Sequence, residues 1–358
     1  MSVAQRRRIS TLVMNRFARN MLARASGGSV ALSRVWPGRT DRLIIAPHDL
    51  RTADATRAAE IYAGRFVFAG KIVNCHGRSI FDLEPPSEDW EVALLGFGWL
   101  RHLRAADTAL TRANARALIE DWIANPANKR RPVARRADVL ARRVISLLSQ
   151  APLVLNETDN KFYRRYLRAL AREIRFLRYT MVDIPDGVPK LQVLIALCYA
   201  ALCLANQARH IRSASKKLSD ELQRQILPDG GNFERSPMYH AIFLEDVLDL
   251  ANLAGRAPGL VSAEDLAIYR EVAGRMIPWL RGMTHPDGGI ALFNDAAIGI
   301  APSLAELEGY AARLGILATA GEEGDTLSAI TWLDSGYVRL GYGREAVALL
   351  DVAPVGPD

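Results

Sequence analysis

The chain has 358 residues, enough for one large domain or two ordinary ones. Its 49% apolar and 24% charged residues are those of a globular chain, and no apolar run reaches the roughly 18 residues that a membrane span needs. The net charge of +7 suits either a polyanionic partner or solvated arginine-rich helix faces.

Three cysteines, Cys75, Cys198 and Cys203, form no CxxC pair. Neither a zinc knuckle nor a disulfide framework is expected, and a reducing compartment fits. Arg6–Arg8 are followed by no adequate apolar h-region before Arg16 and Arg19, so a secretory leader is not expected and a cytoplasmic location is. Residues 4–24 read either as a basic amphipathic helix or as a solvated first helix. No aromatic residue interleaves the basic run 129–136, so nucleic acid is not an expected partner.

In chain order, residues 1–60 read as irregular, with a short helix near Thr52–Glu60. Arg65–Phe68 and Lys71–Val73 read as short strands broken by Gly70. Helical periodicity then takes over. Apolar positions at helical spacing predict one helix from Trp90 to Leu103, a second ending at Asn125-Pro126 and a third ending at Pro152. A fourth covers Phe162–Met181. Leu191–Leu204 is apolar nearly all round and should be buried on most sides. Ile211–Ile226, Met238–Leu253, Leu266–Met283 with Pro278 inside it, and Leu304–Leu314 complete about nine helices. No βαβ alternation interrupts them, so stacked helical hairpins, in a solenoid or a closed toroid, are expected. After Asp325 the pattern turns strand-like. Trp332–Leu340 and Glu345–Asp351, with Gly341-Tyr342-Gly343 between them, predict a β-hairpin.

Pro185-Asp186-Gly187, Pro228-Asp229-Gly230-Gly231 and Pro286-Asp287-Gly288-Gly289 each follow a predicted helix. If the hairpins stack in parallel, these turns share one end of the array. The second turn opens the stretch with the densest chemistry, Pro228–His240. Ser236 reads as a helix N-cap and Pro237 as the first helical residue, which puts Tyr239 and His240 in the first turn. The positive end of a helix dipole there would receive an anion and ease loss of the tyrosine proton. Asn232, Glu234 and Arg235 are adjacent candidates for ligand contact. A tyrosine beside Arg or His can remove a proton α to a carboxylate, the cation stabilising the enediolate. The alternative is that Tyr239 and His240 pack under the next hairpin. His285, Asn294 and Asp295, near the third turn, could reach the same rim, and Trp90 or Trp99 could stack on a sugar. No metal spacing, P-loop, GxGxxG or GxSxG motif is present, and no cofactor is expected.

The run Asp229-Gly230-Gly231-Asn232-Phe233-Glu234-Arg235-Ser236-Pro237-Met238-Tyr239-His240 resembles the heparinase II/III-like polysaccharide lyases of the alginate-lyase-like toroid superfamily. Phe97–Leu103, His285–Gly288, Phe293–Asp295 and Asp334–Tyr337 agree, so the resemblance spans roughly residues 60–358. It implies a mainly α chain: an (α/α) toroid or incomplete barrel of helical hairpins over residues 89–325, after an irregular lead-in over 1–88. Residues 326–358 would be the first strands of an antiparallel β-sandwich. It also implies β-elimination on an acidic, uronate-containing glycan, with Tyr239 as acid and base and His240 beside it. A periplasmic or cell-envelope location, as for related lyases, is the alternative it raises. Two departures stand out. The Asn or Asn-His that neutralises the uronate in such lyases is absent from Pro189–Val193, leaving Lys190, Gln192 or Arg235 to substitute. The histidine contributed by the sandwich would fall after Asp358, as in a truncated member. The competing expectation is therefore a non-catalytic acidic-glycan-binding or scaffold domain. Asn232, Glu234, His285 and Trp99 complete the expected substrate contacts.

Overall fold

A computed structural model describes residues 42–125, 128, 131–181, 184–316, 328–342 and 346–353. The expected basic helix at residues 4–24 and Lys129-Arg130 lie outside these residues. A short helix α1 (Ala55–Tyr62) precedes the antiparallel pair β1 (Arg65–Phe68) and β2 (Lys71–Asn74). The helices α2 (Glu88–Leu95), α3 (Leu100–Ala106), α4 (Ala109–Ala124), α5 (Ala137–Ser149), α6 (Ala151–Leu155) and α7 (Asn160–Thr180) follow. Then come α8 (Val188–Cys203), α9 (Ile211–Gln225), α10 (Pro237–Gly255), α11 (Ala263–Gly282) and α12 (Leu304–Arg313). The chain closes on β3 (Ser328–Trp332), β4 (Tyr337–Tyr342) and β5 (Ala346–Asp351), an antiparallel meander in the order β3-β4-β5.

The helices stack as hairpins in an incomplete (α/α) toroid. Helix α8 is its centre: it packs on α5, α7, α9 and α10, and thirteen of its residues from Leu191 to Cys203 are buried. From Leu191 on the helix is apolar nearly all round and has no solvent face to offer, so its sequence dictates that place. Each fully buried Leu or Ile there contributes roughly 1.5–3 kcal/mol.

Two expectations are corrected. The predicted helix from Trp90 to Leu103 is two helices, because Phe97 takes a left-handed φ of 57° between Gly96 and Gly98. A Cβ on Gly96 would come within 3.0 Å of Arg142 Cγ, so the bend also permits close packing against α5. The predicted hairpin is a three-stranded sheet, because Leu333–Gly336 form a turn inside the run taken for one strand.

The Pro-Asp-Gly-Gly repeat is real at the level of hydrogen bonds. In the second copy Leu227 N–H donates to Gly231 O at 2.8 Å, and Gly231 N–H to Asp229 Oδ1 at 2.9 Å. In the third copy His285 N–H donates to Gly289 O at 2.8 Å, and Gly289 N–H to Asp287 Oδ1 at 2.9 Å. Gly230 and Gly288 hold φ of 89° and 84°, which a side chain disfavours. The three turns are neighbours: Arg224, next to the second turn, pairs with Asp186 at 2.5 Å, and Asn294, after the third, reaches Arg235 O at 3.0 Å.

The two full copies differ in what they carry. Asp229 Oδ2 accepts from Ser335 N–H at 2.7 Å and Ser335 O–H at 2.8 Å, and Trp279 Nε1–H donates to Ser335 Oγ at 2.9 Å. The turn before β4 is thereby docked on the helices. A Cβ on Gly231 would lie 2.7 Å from Trp279 Nε1 and 2.8 Å from Ser335 Cβ, whereas one on Gly289 meets only the side chain of Asp287. Gly231→Ala is therefore expected to cost about 1–3 kcal/mol in urea unfolding, and Gly289→Ala a small fraction of that. Equal losses would contradict the packing difference.

Candidate functional site

Ser236 caps α10: its Oγ accepts from Tyr239 N–H at 3.5 Å, with Pro237 in the first helical position. Successive helical residues point about 100° apart, and here that separates two candidates completely. Tyr239 is 40% exposed at the rim formed by the start of α10. His240 is wholly buried, its ring 4.4 Å from that of Trp279 and its Nε2 3.0 Å from Met276 O. Burial lowers the His240 pKa to about 4. As placed, its ring is a core group and cannot face a ligand.

The Tyr239 phenol behaves opposite to the expected easing of proton loss. Its pKa is raised, first by partial burial, then by Asp295 and Glu234, and Arg136 only partly offsets them. Tyr239 thus holds its proton more firmly than a free tyrosine.

The expected substrate contacts separate into distinct places. Glu234 accepts from Val188 N–H at 2.7 Å, so its carboxylate already occupies the N-terminus of α8. Burial raises its pKa. Lys190 pairs with Asp186 at 2.9 Å and Glu221 at 2.6 Å on the α8–α9 surface. Arg235 is buried and ion-paired with Asp351 of β5. Asn232 is 1% exposed, its Oδ1 capping Glu234 N–H at 2.8 Å. Gln192 is buried, its Nε2 3.4 Å from Asp246 Oδ2. His285 is half-buried in the third turn. Trp99 is 3% exposed, its Nε1–H donating to Leu94 O and its ring edge-on to Phe66, and Trp90 is 1% exposed. Both tryptophans are core residues, which corrects the sugar-stacking expectation. In the described part of the basic run, Arg131 pairs with Glu91 and donates to Phe81 O, while Arg136 is exposed and pairs with Glu88 and Asp138.

Sequence reasoning missed a buried cluster of charged residues. Arg51, from the segment before α1, reaches Glu245 at 2.7 Å, Asp246 at 2.7 Å and Asp249, all on α10. Arg142 of α5 holds Asp246 with both Nη atoms, at 2.6 and 2.7 Å. Tyr310 O–H donates to Asp249 at 2.5 Å. Arg51, Arg142 and Asp249 also line a small cavity of about 20 Å³, room for one water, together with Asp49, Arg101 and Gln150 among others. The signal was present: three acidic residues on a helix otherwise apolar enough to be buried demand cations. Asp246 lies seven residues after Tyr239, on the same face of α10 and two turns deeper.

Among the described residues, no group of His, Cys, Asp or Glu could hold a metal ion, and no helix is long and apolar enough to cross a membrane. Residues 194–311, from α8 to α12, match the family model of the heparinase II/III N-terminus. Over that stretch the chain is similar to a heparinase II/III-type domain. The chain superposes on a heparinase III with a TM-score of 0.59 and 17% identity, over 87% of this chain and 54% of that one. It superposes on the heparan sulfate lyase HepC of Pedobacter heparinus with a TM-score of 0.54 and 17% identity, over 84% and 51%. At such identity the likeness is one of fold, the helical toroid. FtsZ-localized protein C of Caulobacter vibrioides (strain NA1000 / CB15N) is 28% identical over 257 residues, 72% of this chain and 43% of that protein. The chain spans about half the length of these relatives.

Proposed function

We propose that the heparinase II/III-type domain contributes the helical half of a polysaccharide-lyase site for an acidic, uronate-containing glycan, with Tyr239 as its proton carrier. The observation that carries this reading is the exposed Tyr239 phenol in the first turn of α10, beside the turns gathered at one end of the toroid. In β-elimination a base takes the proton α to the uronate carboxylate, and the C4–O4 bond breaks as the C4–C5 double bond forms. The departing O4 takes a proton from an acid. A phenol whose pKa is raised is protonated at neutral pH, so Tyr239 fits the acid half best. Arg235, Asn232, Glu234, Lys190, Gln192 and His285 then act as frame rather than as direct contacts.

The test is the ultraviolet absorbance of unsaturated uronate on incubation with heparan-type, alginate-type and other uronic polymers. Wild type should release it, and Tyr239→Phe should lose at least about 100-fold, the usual contribution of a positioned acid. Folded wild-type protein that releases none from any polymer would end the lyase reading.

A second reading, a non-catalytic glycan-binding or scaffold domain, has its own support. Arg235, Lys190 and Arg136 are each ion-paired with carboxylates of this chain, so the uronate would have to compete for them. The relative named for its localisation with FtsZ agrees with a role other than catalysis. On this reading glycan or partner binding persists in Tyr239→Phe and no product forms.

A further inference from the structure

Four residues before Tyr239, the backbone is held in an unusual way. Arg235 has φ of 60°, a left-handed conformation that costs a non-glycine residue about 1 kcal/mol or more and persists only where its surroundings enforce it. Its carbonyl accepts two hydrogen bonds, from Tyr337 O–H of β4 at 2.7 Å and from Asn294 Nδ2–H at 3.0 Å. Asn294 Nδ2 also lies 2.9 Å from the Tyr337 hydroxyl, which closes the three groups into one knot. The Arg235 guanidinium pairs with Asp351 of β5 and lies 5.4 Å from the centre of the Tyr337 ring. The next residue, Ser236, is the cap that fixes the start of α10. Asn294 is followed by Asp295, the largest charged influence on the Tyr239 phenol.

We propose that Arg235, clamped by Tyr337, Asn294 and Asp351, is a positioning residue through which the C-terminal sheet sets the geometry of Tyr239. The clamp rests on no contact with a ligand. It pins the peptide before the helix cap and the loop carrying Asp295 at the same time. Its catalytic consequence rests on the lyase reading; the coupling itself does not. The sheet is then a control element of the rim as well as a packing partner of α11.

Hydrogen exchange and phenol titration in Tyr337→Phe and Asp351→Asn test this. Tyr337→Phe keeps the ring and removes the donor to Arg235 O; Asp351→Asn keeps the shape and removes the charge. Both should speed exchange of the amides of residues 233–240 by about 10-fold or more, with α5 and α8 unchanged. The Tyr239 phenol, isolated as the difference from the matching Tyr239→Phe background, should titrate at lower pH once Asp295 is released. Unchanged exchange and titration in both variants would overturn the proposal. So would exchange that rises equally in α5, α8 and residues 233–240, since that is loss of general packing. Neither readout needs turnover, so a protein that cleaves no glycan yet shows the local response ends the lyase reading and leaves the clamp standing.

Discussion

Arg51→Met should destabilise the domain by about 3–5 kcal/mol, the cost of leaving buried carboxylates without their cation. Arg51 is nearly buried, and its guanidinium is shared among Glu245, Asp246 and Asp249. Burial opposes its charge, but Asp249, Glu245, Asp246 and Asp49 together hold its pKa above the ordinary value. The partners do not lose equally. Asp246 keeps Arg142, and Glu245 keeps a 3.9 Å contact with Arg101. Among the described residues Asp249 keeps only the Tyr310 hydroxyl, so the loss concentrates there. Burial already raises the Asp249 pKa, with Asp49 and Glu245 adding to it and Arg51 opposing. Without Arg51 its carboxyl should take up a proton. Asp249→Asn placed on Arg51→Met should therefore recover much of the loss. A double-mutant cycle by urea unfolding reads the coupling directly, and strictly additive effects would show that Arg51 and Asp249 do not share one charge balance.

The placement of Arg51 explains why so much depends on it. The segment before α1 crosses between an early helix, α3, and the last described helix, α12. Ile44 N–H donates to Cys203 O at the end of α8, and Asn252 of α10 donates to His48 O. Arg313 of α12 donates to Leu50 O, and Asp54 N–H donates to His102 Nδ1 on α3. An open ring of hairpins leaves its first and last members without neighbours. Here one extended segment joins α12 to α3, and Arg51 ties that segment to the interior.

The helices were legible because each carries its own period. Leu191–Leu204, apolar nearly all round, announced a buried helix without reference to any other part of the chain. The break at Gly96-Phe97-Gly98 was hidden because apolar residues continue across it at helical spacing, although two glycines around one aromatic residue are a turn signal. The third strand was hidden for the opposite reason: Asp334-Ser335-Gly336 is turn chemistry inside a run of strand formers. At the rim, sequence located Tyr239 and the capped helix start. It could not show which of Tyr239 and His240 faces solvent, because that depends on where α11 packs. Arg51 and its acidic partners lie about 195 positions apart in sequence, and no local pattern joins them.

His240 gives the domain an acid limit, and the sign can be worked out. Its folded pKa is about 4, below the unfolded value near 6.5, so the unfolded state binds the proton first. The folded state is then favoured above pH 6.5, and that advantage is lost as pH falls from 6.5 to 4. The full loss is about 3 kcal/mol, at 1.36 kcal/mol per unit. The cause is geometric. Nε2 faces Met276 O and so carries the neutral ring's one hydrogen, while Nδ1 is buried with no hydrogen-bond partner. A second proton at Nδ1 would place a charge in a fully buried site beside the Trp279 ring. His240→Gln can keep a donor for Met276 O and cannot titrate. It should be less stable than wild type at pH 7.5, and its stability should fall less steeply between pH 6.5 and 4.5. His102, also held near 4 by partial burial and by Arg101 and Arg57, supplies the same background slope in both proteins. Parallel urea-unfolding curves across that range would mean that His240 takes up its proton in the folded state. It would then be free to move charge at the rim, as a proton-carrying partner of Tyr239 must, rather than serve as the neutral core group that its burial describes.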